Sequence, residues 1–417
     1  MILAISTLST ILYSIVVFLL IILLLVVLLL YARDKLTPRG EVVLEINDRQ
    51  LSVSPGSNLL ATLSYNDIYL PSACGGGGTC GLCKCQIVEG GGSILPTETG
   101  FFTRREQLND WRLACQVKIR ENLSILLPES VLGIRKWECE VVSNRNVATF
   151  IKEFVVRLPD GEELNFDPGG YIQIDVPKYK LSFREFIIED EFKNDWDEYK
   201  MWDLGINNNE ETYRAYSMAN YPAEKNLIKL NIRIATPPWD NAKKQFLRVP
   251  PGICSSYIFS RKPGDKVMIS GPYGEFHIKD TTNEMVYIGG GAGMAPLRSH
   301  IFHLFHTLKT DRKVSYWYGA RSLREVFYEE EFRAIEKKFP NFTFNLAMSE
   351  PLPEDNWTGY TGFIHRVLYD NYLGKHEEPE DIEYYFCGPP AMNNAVVNML
   401  YSLGVPEENV SFDDFGI

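Results

Sequence analysis

The sequence predicts a multidomain protein that combines α+β and α/β folds behind a single apolar N-terminal helix. Three observations lead to this prediction. The chain has 417 residues, which is too long for one ordinary domain. Its first 32 residues contain no Asp, Glu, Lys or Arg. The hydrophobic pattern then changes twice, near Gly133 and near Glu284. We therefore expect four segments, at residues 1–35, 36–130, 131–283 and 284–417.

The first segment is apolar enough to cross a membrane. Ile11 to Leu30 is almost wholly apolar, and about 20 such residues span a bilayer as a helix. A cleaved signal peptide is the competing interpretation, but it needs a basic start and a shorter apolar core. Arg33, Lys35 and Arg39 follow the apolar stretch. The positive-inside rule therefore predicts an uncleaved single-pass transmembrane anchor, with the rest of the chain in the cytoplasm.

Composition excludes some classes of function. The net charge of −12 argues against nucleic acid as a partner, because phosphate backbones select basic faces. Eight cysteines are few for a disulfide scaffold of this length, and four of them are widely scattered. That usage suits a reducing compartment, where thiols stay free or bind metal.

The other four cysteines lie in one glycine-rich loop, CGGGGTCGLCKC, from Cys74 to Cys85. The spacing is Cys74-x5-Cys80-x2-Cys83, and Cys115 follows 32 positions later. A zinc site usually has two C-x2-C pairs or a histidine pair, and only one pair is present here. A [2Fe–2S] cluster takes four thiolates, and glycines let the backbone wrap it closely. The pattern favours an iron–sulfur cluster over zinc.

This spacing is one residue longer than the plant-type pattern and resembles that of adrenodoxin-like ferredoxins. The resemblance implies a β-grasp ferredoxin domain over residues 36–130. It implies that Cys74 and Cys80 bind one iron and that Cys83 and Cys115 bind the other. Cys85 is then left over, and a small buried hydrophobe is the role we expect for it.

Residues 131–283 are predicted to form an antiparallel β-barrel. Short strands such as YIQIDVP and LIKLNIRIA are separated by turn signals, and no long helix interrupts them. One stretch breaks the rhythm: residues 185–211, the acidic insertion, hold ten carboxylates against two lysines. That composition favours a solvated acidic loop over a docking surface for a partner subunit.

The barrel contains residues suited to a flavin. In RAYS, Tyr216 could stack on the ring, Ser217 could hydrogen-bond its reactive edge, and Arg214 could pair with phosphate. In PPGICSSYIF, Gly252, Cys254 and Ser255 form a turn with donors for a pyrophosphate. Their order resembles the ferredoxin–NADP reductase superfamily, and the pyrophosphate loop implies FAD rather than FMN.

From Glu284 onward strands alternate with helices, which predicts a parallel sheet with crossover helices. The stretch VYIGGGAGMAPLRS places a glycine turn between a strand and a helix, where amides can meet a phosphate. CGPP follows a later strand. The superfamily resemblance implies that Cys387 lies against the nicotinamide and that Phe415 covers the flavin face. The expected dinucleotide-binding residues here are Gly290, Gly291, Ala292, Gly293, Met294, Cys387, Gly388 and Pro389.

The choice between NADH and NADPH rests on the ribose 2′ position. A 2′-phosphate is usually met by Arg or Lys, whereas a free hydroxyl pair tolerates or prefers an acid. Glu350 follows the strand FTFNLAMS, at the position where NADPH-using relatives carry a basic residue. We therefore expect NADH, with Glu350 and Arg321 at the ribose. Arg321 and Arg324 keep NADPH as an alternative.

Taken over almost the whole chain, the order of anchor, ferredoxin, flavin barrel and nicotinamide domain resembles the F subunits of the sodium-translocating NADH:quinone reductases. The resemblance implies hydride transfer from NADH to FAD, single-electron transfer to the [2Fe–2S] cluster, and delivery through subunits A to E to ubiquinone. It also implies the bacterial inner membrane. A reductase component of a multicomponent oxygenase is one alternative, and a non-enzymatic membrane-tethered iron–sulfur protein is another.

Overall fold

The computed structural model describes residues 2–36, 40–240 and 242–414. The chain divides into two compact units. The first comprises residues 1–70 and 76–132, and the second comprises residues 71–75 and 133–417.

The first unit begins with a long apolar helix. Helix α1 covers Ile2–Leu36, and its segment Leu12–Ala32 has a mean hydropathy of 3.6 over 21 residues. No part of that segment is buried against protein, although its side chains are apolar. By length and composition this is the one helix in the described part of the chain that could cross a membrane.

A small α+β domain follows α1. Its mixed five-stranded sheet has the order β2-β1-β5-β3-β4, with β1 and β5 parallel. Alternate apolar residues such as Leu44, Ile46 and Ile125 pack inward with Leu59 and Leu63 of α2. The elements are β1 (Val42–Ile46), β2 (Arg49–Val53), α2 (Leu59–Tyr65), β3 (Lys84–Glu89), α3 (Arg104–Leu108), β4 (Trp111–Leu113), β5 (Leu123–Leu126) and α4 (Glu129–Leu132).

The second unit begins with an antiparallel sheet of the order β11-β8-β15-β6-β7-β12. A bridge between Met218, which directly follows β11, and Leu230 in the middle of β12 joins the two outer strands, so the sheet closes on itself. The elements are β6 (Arg135–Ala148), β7 (Ile151–Arg157), β8 (Tyr171–Val176), β9 (Tyr179–Ser182), α5 (Lys193–Glu198), β10 (Gly205–Asn208), β11 (Thr212–Ser217), β12 (Leu227–Arg233), β13 (Trp239–Asp240), β14 (Gln245–Phe246), α6 (Ile253–Phe259) and β15 (Lys266–Tyr273).

The acidic insertion is packed, so the expectation of a solvated loop is wrong. Its aromatic and aliphatic side chains enter the barrel core, where Trp196 is fully buried and Phe192 and Met201 nearly so. The indole N–H of Trp196 donates to the carbonyl of Thr149 across 2.8 Å. Most of its carboxylates are exposed on a small structured segment that contains α5 and β10.

The rest of the second unit is a parallel sheet of the order β19-β18-β17-β16-β20-β21. Its central strands β16 and β20 are buried throughout, as expected when helices cover both faces. The elements are β16 (Met285–Gly290), α7 (Met294–Phe302) with a π-helical extension (His303–Leu308), β17 (Val314–Ala320), α8 (Glu329–Lys338), β18 (Phe342–Met348), β19 (Tyr360–Thr361), α9 (Ile364–Asn371), β20 (Glu383–Cys387), α10 (Pro390–Ser402) and β21 (Val410–Asp413).

The strand order reverses at β16. The chain runs outward from β16 through β17, β18 and β19, and then returns to place β20 on the other side of β16. In open α/β sheets, ligands bind outside the carboxyl ends of the strands at such a point. The edge formed by the ends of β16 and β20 is therefore where a dinucleotide is expected.

Candidate functional site

Three of the four predicted cluster cysteines lie together within the first unit. The Cys115 side chain hydrogen-bonds with Cys83. This bond and burial raise the pKa of the Cys83 thiol, and the nearby Cys80 adds to the rise. Cys83 and Cys115 are the pair that the resemblance assigns to one iron. Cys74 lies in a turn just before Gly75.

The glycines of this loop adopt the backbone conformation that the loop requires. Gly76, Gly78 and Gly81 have φ between +71° and +85°, a region that residues with a Cβ atom rarely enter. A Cβ atom on Gly81 would also lie 2.5 Å from the Phe101 ring. The thiols and the glycine-lined loop thus fit a [2Fe–2S] cluster.

No three His, Cys, Asp or Glu side chains of the described residues surround a single metal position. A two-iron cluster does not need that arrangement, because each iron takes two of the four thiolates. The buried Cys85 thiol donates instead to the carbonyl oxygen of Arg112, 3.7 Å away. That contact supports the expectation that Cys85 is not a ligand.

The flavin-binding residues predicted on β11 and at α6 lie near one another. Burial raises the pKa of the Cys254 thiol to about 12, and the nearby charge of Arg214 opposes that rise. One nitrogen of the Arg214 guanidinium donates to the Tyr213 carbonyl and the Thr212 hydroxyl. Its other nitrogens leave donors that suit a phosphate. The Tyr216 environment also contains both Arg214 and Cys254.

The turn before α6 differs in detail from the prediction. The Gly252 N–H donates to the Ala235 carbonyl across 2.8 Å, so it is not available to a pyrophosphate. The Ser255 hydroxyl accepts from the Ala235 N–H and donates to the Gly252 carbonyl. Both residues therefore shape the turn. The donors available to a phosphate are the backbone N–H groups of the first helical turn, at Cys254 and Ser255.

The predicted nicotinamide residues meet at the ends of β16 and β20. These strands are parallel, and Gly289 pairs with Cys387. A Cβ atom on Gly293 would lie 2.0 Å from the Cys387 carbonyl oxygen, so only glycine fits there. Gly291 adopts φ +58°, and its carbonyl accepts from the Tyr318 hydroxyl.

Neighbouring residues complete this edge. Ala292 precedes Gly293 in the same turn, and Pro389 caps the N-terminus of α10. A Cβ atom on Gly290 or Gly388 would press on the Met392 side chain. Met294 contributes its side chain to the core beneath the turn, where the Tyr316 hydroxyl contacts its sulfur.

A residue that sequence reasoning missed lies at the centre of the site. The Ser217 hydroxyl donates to Oδ2 of Asp413 across 2.6 Å, and Asp413 pairs with Cys387 between the parallel strands β21 and β20. Burial raises the pKa of the Asp413 carboxyl to about 6, and the Ser217 hydrogen bond opposes that rise. Burial also raises the pKa of the Cys387 thiol, which is therefore neutral, and Asp413 and Asp414 add to the effect.

Ser217 and Cys387, which the sequence places 170 residues apart, thus share one acidic neighbour. The two acidic residues in SFDDFGI were the only signal for Asp413, and nothing local distinguishes Asp413 from Asp414. Phe415, predicted to cover the flavin, lies outside the described residues.

The residues expected at the ribose also lie together. The Glu350 N–H donates to the Arg321 carbonyl across 2.8 Å, at the neighbouring ends of β17 and β18. The Arg321 guanidinium lies 3.4 Å from Glu325. Arg324 lies 2.8 Å from Asp195 of the acidic insertion. Both side chains that kept NADPH as an alternative are thus paired with carboxylates.

Three family profiles match the chain in the predicted order. A 2Fe-2S iron-sulfur cluster binding domain matches residues 43–120, an oxidoreductase FAD-binding domain matches residues 198–278, and an oxidoreductase NAD-binding domain matches residues 287–398. They confirm the predicted fold class and cofactor classes.

Solved structures share this fold. A cytochrome P450 reductase from Amycolatopsis matches with a TM-score of 0.62 and 22% identity, over 90% of this chain and 98% of that chain. The ferredoxin reductase in carbazole 1,9a-dioxygenase matches with a TM-score of 0.57 and 25% identity, over the same shares.

Closer similarity is found among curated sequences. The F subunit of the Na(+)-translocating NADH-quinone reductase of Klebsiella pneumoniae is 57% identical over 93% of this chain and 95% of its own length. The F subunits of Pseudomonas aeruginosa and Methylococcus capsulatus are 55% and 56% identical, each over 93% of this chain and 94% of their own lengths. The chain therefore belongs to the family of F subunits of the Na(+)-translocating NADH-quinone reductases.

Proposed function

We infer that this chain is the electron-input subunit of a sodium-translocating NADH:quinone reductase and that it oxidises NADH with FAD and a [2Fe–2S] cluster. The observation that carries this inference is that Ser217, Cys387 and Asp413 lie together near the point where the strand order of the parallel sheet reverses. Full-length similarity to F subunits supports it, since it extends over all three domains.

The protein's contribution is to bind and orient FAD, the nicotinamide dinucleotide and the cluster. Arg214 and the first-turn amides of α6 would hold the FAD pyrophosphate, and Tyr216 would stack on the ring. The turn from Gly290 to Gly293 would receive the dinucleotide phosphates. The neutral thiol of Cys387 would set the position of the nicotinamide beside Ser217. Cys74, Cys80, Cys83 and Cys115 would hold the cluster.

The cofactors supply the electron chemistry: FAD accepts an electron pair as hydride and can release single electrons, as a [2Fe–2S] cluster requires. The remaining steps lie outside this chain. Subunits A to E would carry the electrons to ubiquinone and couple the reaction to sodium transport. The apolar segment of α1 would anchor the chain in the bacterial inner membrane, with its catalytic domains in the cytoplasm.

A test of the site uses the detergent-solubilised protein loaded with its cofactors. We expect Cys387→Ala to retain FAD and to lower NADH-dependent ferricyanide reduction about tenfold or more, because the nicotinamide loses its positioning contact. Cys139→Ala is the matched control, since Cys139 is also a fully buried thiol but lies in β6. Equal rates for the two variants would remove the role assigned to Cys387.

Location and partners need a separate experiment. The chain with an affinity tag should be recovered from the membrane fraction together with other subunits of the complex. Protease added to intact spheroplasts should leave the catalytic domains uncut, and cleavage there would reverse the proposed orientation.

A further inference from the structure

The segment after β17 carries Arg321 and Arg324, the two cations that the sequence analysis considers for a 2′-phosphate. It comprises residues 321–325, the ribose segment, and ends in a short 3-10 turn from Leu323 to Glu325. Arg321 lies beside Glu350 through the backbone hydrogen bond between them. The ribose segment thus borders the position where the sequence predicts the choice between NADH and NADPH.

Carboxylates hold both ends of the ribose segment. Glu325 accepts hydrogen bonds from the N–H and the hydroxyl of Thr149, and it also lies 3.4 Å from Arg321. The guanidinium of Arg324 lies 2.8 Å from Oδ2 of Asp195, and its NH1 contacts the carbonyl of Glu191 at 3.5 Å.

The pair between Arg324 and Asp195 is partly shielded from water. The Arg324 side chain is 31% exposed and the Asp195 side chain is 17% exposed. The Nε of Arg324 is buried and has no hydrogen-bond acceptor among the described residues. Asp195 is therefore the carboxylate that compensates this guanidinium, and it comes from the acidic insertion, which is held in place by the buried Trp196 next to it.

We propose that Asp195 is a specificity-determining positioning residue: by holding Arg324 against the acidic insertion, it withholds that cation from the ribose end of the dinucleotide site and favours NADH over NADPH. This proposal rests on the proposed function, in which NADH is the electron donor. Arginine is the usual partner of a 2′-phosphate. Arg324 is bound to Asp195 and Arg321 is bound to Glu325, so carboxylates compete with that phosphate for both arginines of the ribose segment.

The test compares Asp195→Asn with the wild-type protein, both detergent-solubilised and loaded with FAD. The ratio of kcat/KM for NADH to that for NADPH should fall about fivefold or more, because the freed Arg324 can approach the 2′-phosphate. Asp195→Glu, which keeps the charge, should retain most of the wild-type preference. Asp190→Asn is the matched control: it removes one charge from the same insertion, where Asp190 is exposed and pairs with Lys193.

The double variant Asp195→Asn/Arg324→Gln identifies the cation. Its preference for NADH should return to the wild-type value, because no freed guanidinium remains. An unchanged ratio in Asp195→Asn with full FAD content would overturn the proposal. So would a double variant that keeps the relaxed preference.

A binding measurement separates this proposal from the proposed function. ADP-ribose and its 2′-phosphate analogue lack the nicotinamide, so their dissociation constants depend on no hydride step. Asp195→Asn should tighten binding of the 2′-phosphate analogue relative to ADP-ribose by a similar factor. If NADH is not oxidised at all, the proposed function fails while this ratio still tests Asp195, and equal ratios in variant and wild type would contradict its role.

Discussion

The hydroxyl of Ser217 donates a hydrogen bond to Oδ2 of Asp413 across 2.6 Å, although 196 residues separate the two in the chain. The bond joins the end of β11 in the antiparallel sheet to the end of β21 in the parallel sheet. Because Asp413 also pairs with Cys387, the carboxyl stands between the residues expected to serve the flavin and the nicotinamide. The protonation state of Asp413 therefore affects both.

The raised pKa of Asp413 predicts that the rate of flavin reduction depends on pH near 6. Its pKa of about 6 lies above the usual range of a carboxyl, so it is an anion above pH 6 and takes up a proton below it. The anion accepts the hydrogen bond from the Ser217 hydroxyl and cannot donate one. The protonated carboxyl can itself donate, which leaves the Ser217 hydroxyl hydrogen available to another acceptor. We expect NADH-dependent flavin reduction, followed by stopped-flow absorbance, to become faster as the pH falls through about 6.

Asp413→Asn tests this interpretation. An amide carries no charge and donates at every pH, so the step near pH 6 should vanish and the rate should stay near its low-pH value. Asp414→Asn is the control: it should keep a step, moved to a lower pH, because the charge of Asp414 helps to raise the pKa of Asp413. A step that persists in Asp413→Asn would assign the titration to another group.

The cysteines predict a second pair of variants. Cys83→Ala should abolish the cluster, because Cys83 lies against Cys115 and a two-iron cluster needs four thiolates. Cys85→Ala, two residues away, removes a buried thiol that bonds only the Arg112 carbonyl among the described residues. It should keep about two irons per chain, measured by iron analysis, and should lose at most about 1–3 kcal/mol of stability. Loss of iron from both variants would show that the loop as a whole, and not its ligands, had been damaged.

Asp413 and the cluster cysteines show which parts of the site can be predicted from the sequence and which cannot. The sequence predicts the cluster ligands because three of them lie within ten residues, at a spacing set by the chemistry of the cluster. It predicts roles for the RAYS and CGPP stretches for the same reason, since each presents several candidate residues on one turn or strand. Asp413 was not predictable, because its role depends on a partner 196 residues away and the chain offers two adjacent acids.

Packing explains the other discrepancies. The acidic insertion looked solvated because its charges outnumber its apolar residues, yet Trp196 and Phe192 enter a core that local composition does not reveal. The sequence predicted a turn at Gly252, Cys254 and Ser255 with donors for a pyrophosphate, but the N–H of Gly252 bonds Ala235, a residue on another segment. In each case a long-range contact decided the role of a residue whose neighbours in sequence indicated something else.

Gly293 provides a prediction based on backbone packing. Gly293→Ala would place a Cβ atom 2.0 Å from the Cys387 carbonyl oxygen, so the ends of β16 and β20 would have to move apart. NADH-dependent ferricyanide reduction should fall about 100-fold, since a displacement of about 1 Å at a reacting centre has that effect. Iron content should be unchanged, because three of the four predicted cluster ligands, Cys80, Cys83 and Cys115, lie in the other unit. Wild-type activity in Gly293→Ala would contradict the close approach of these strands.

The final prediction concerns the amide of Gln116 beside Cys115, one of the predicted cluster ligands. Its Nε2 donates to the Cys115 sulfur across 3.7 Å, and Gly78 leaves room for it, since a Cβ atom there would lie 2.5 Å from that nitrogen. A hydrogen bond to a ligand sulfur stabilises the more negative, reduced cluster and raises its reduction potential. Gln116→Leu should therefore lower the midpoint potential, measured by a redox titration that follows the electron paramagnetic resonance signal of the reduced cluster. Gln86→Leu is the control because the Gln86 amide bonds the Asn109 carbonyl, and identical potentials in the two variants would exclude a contribution from the Gln116 hydrogen bond.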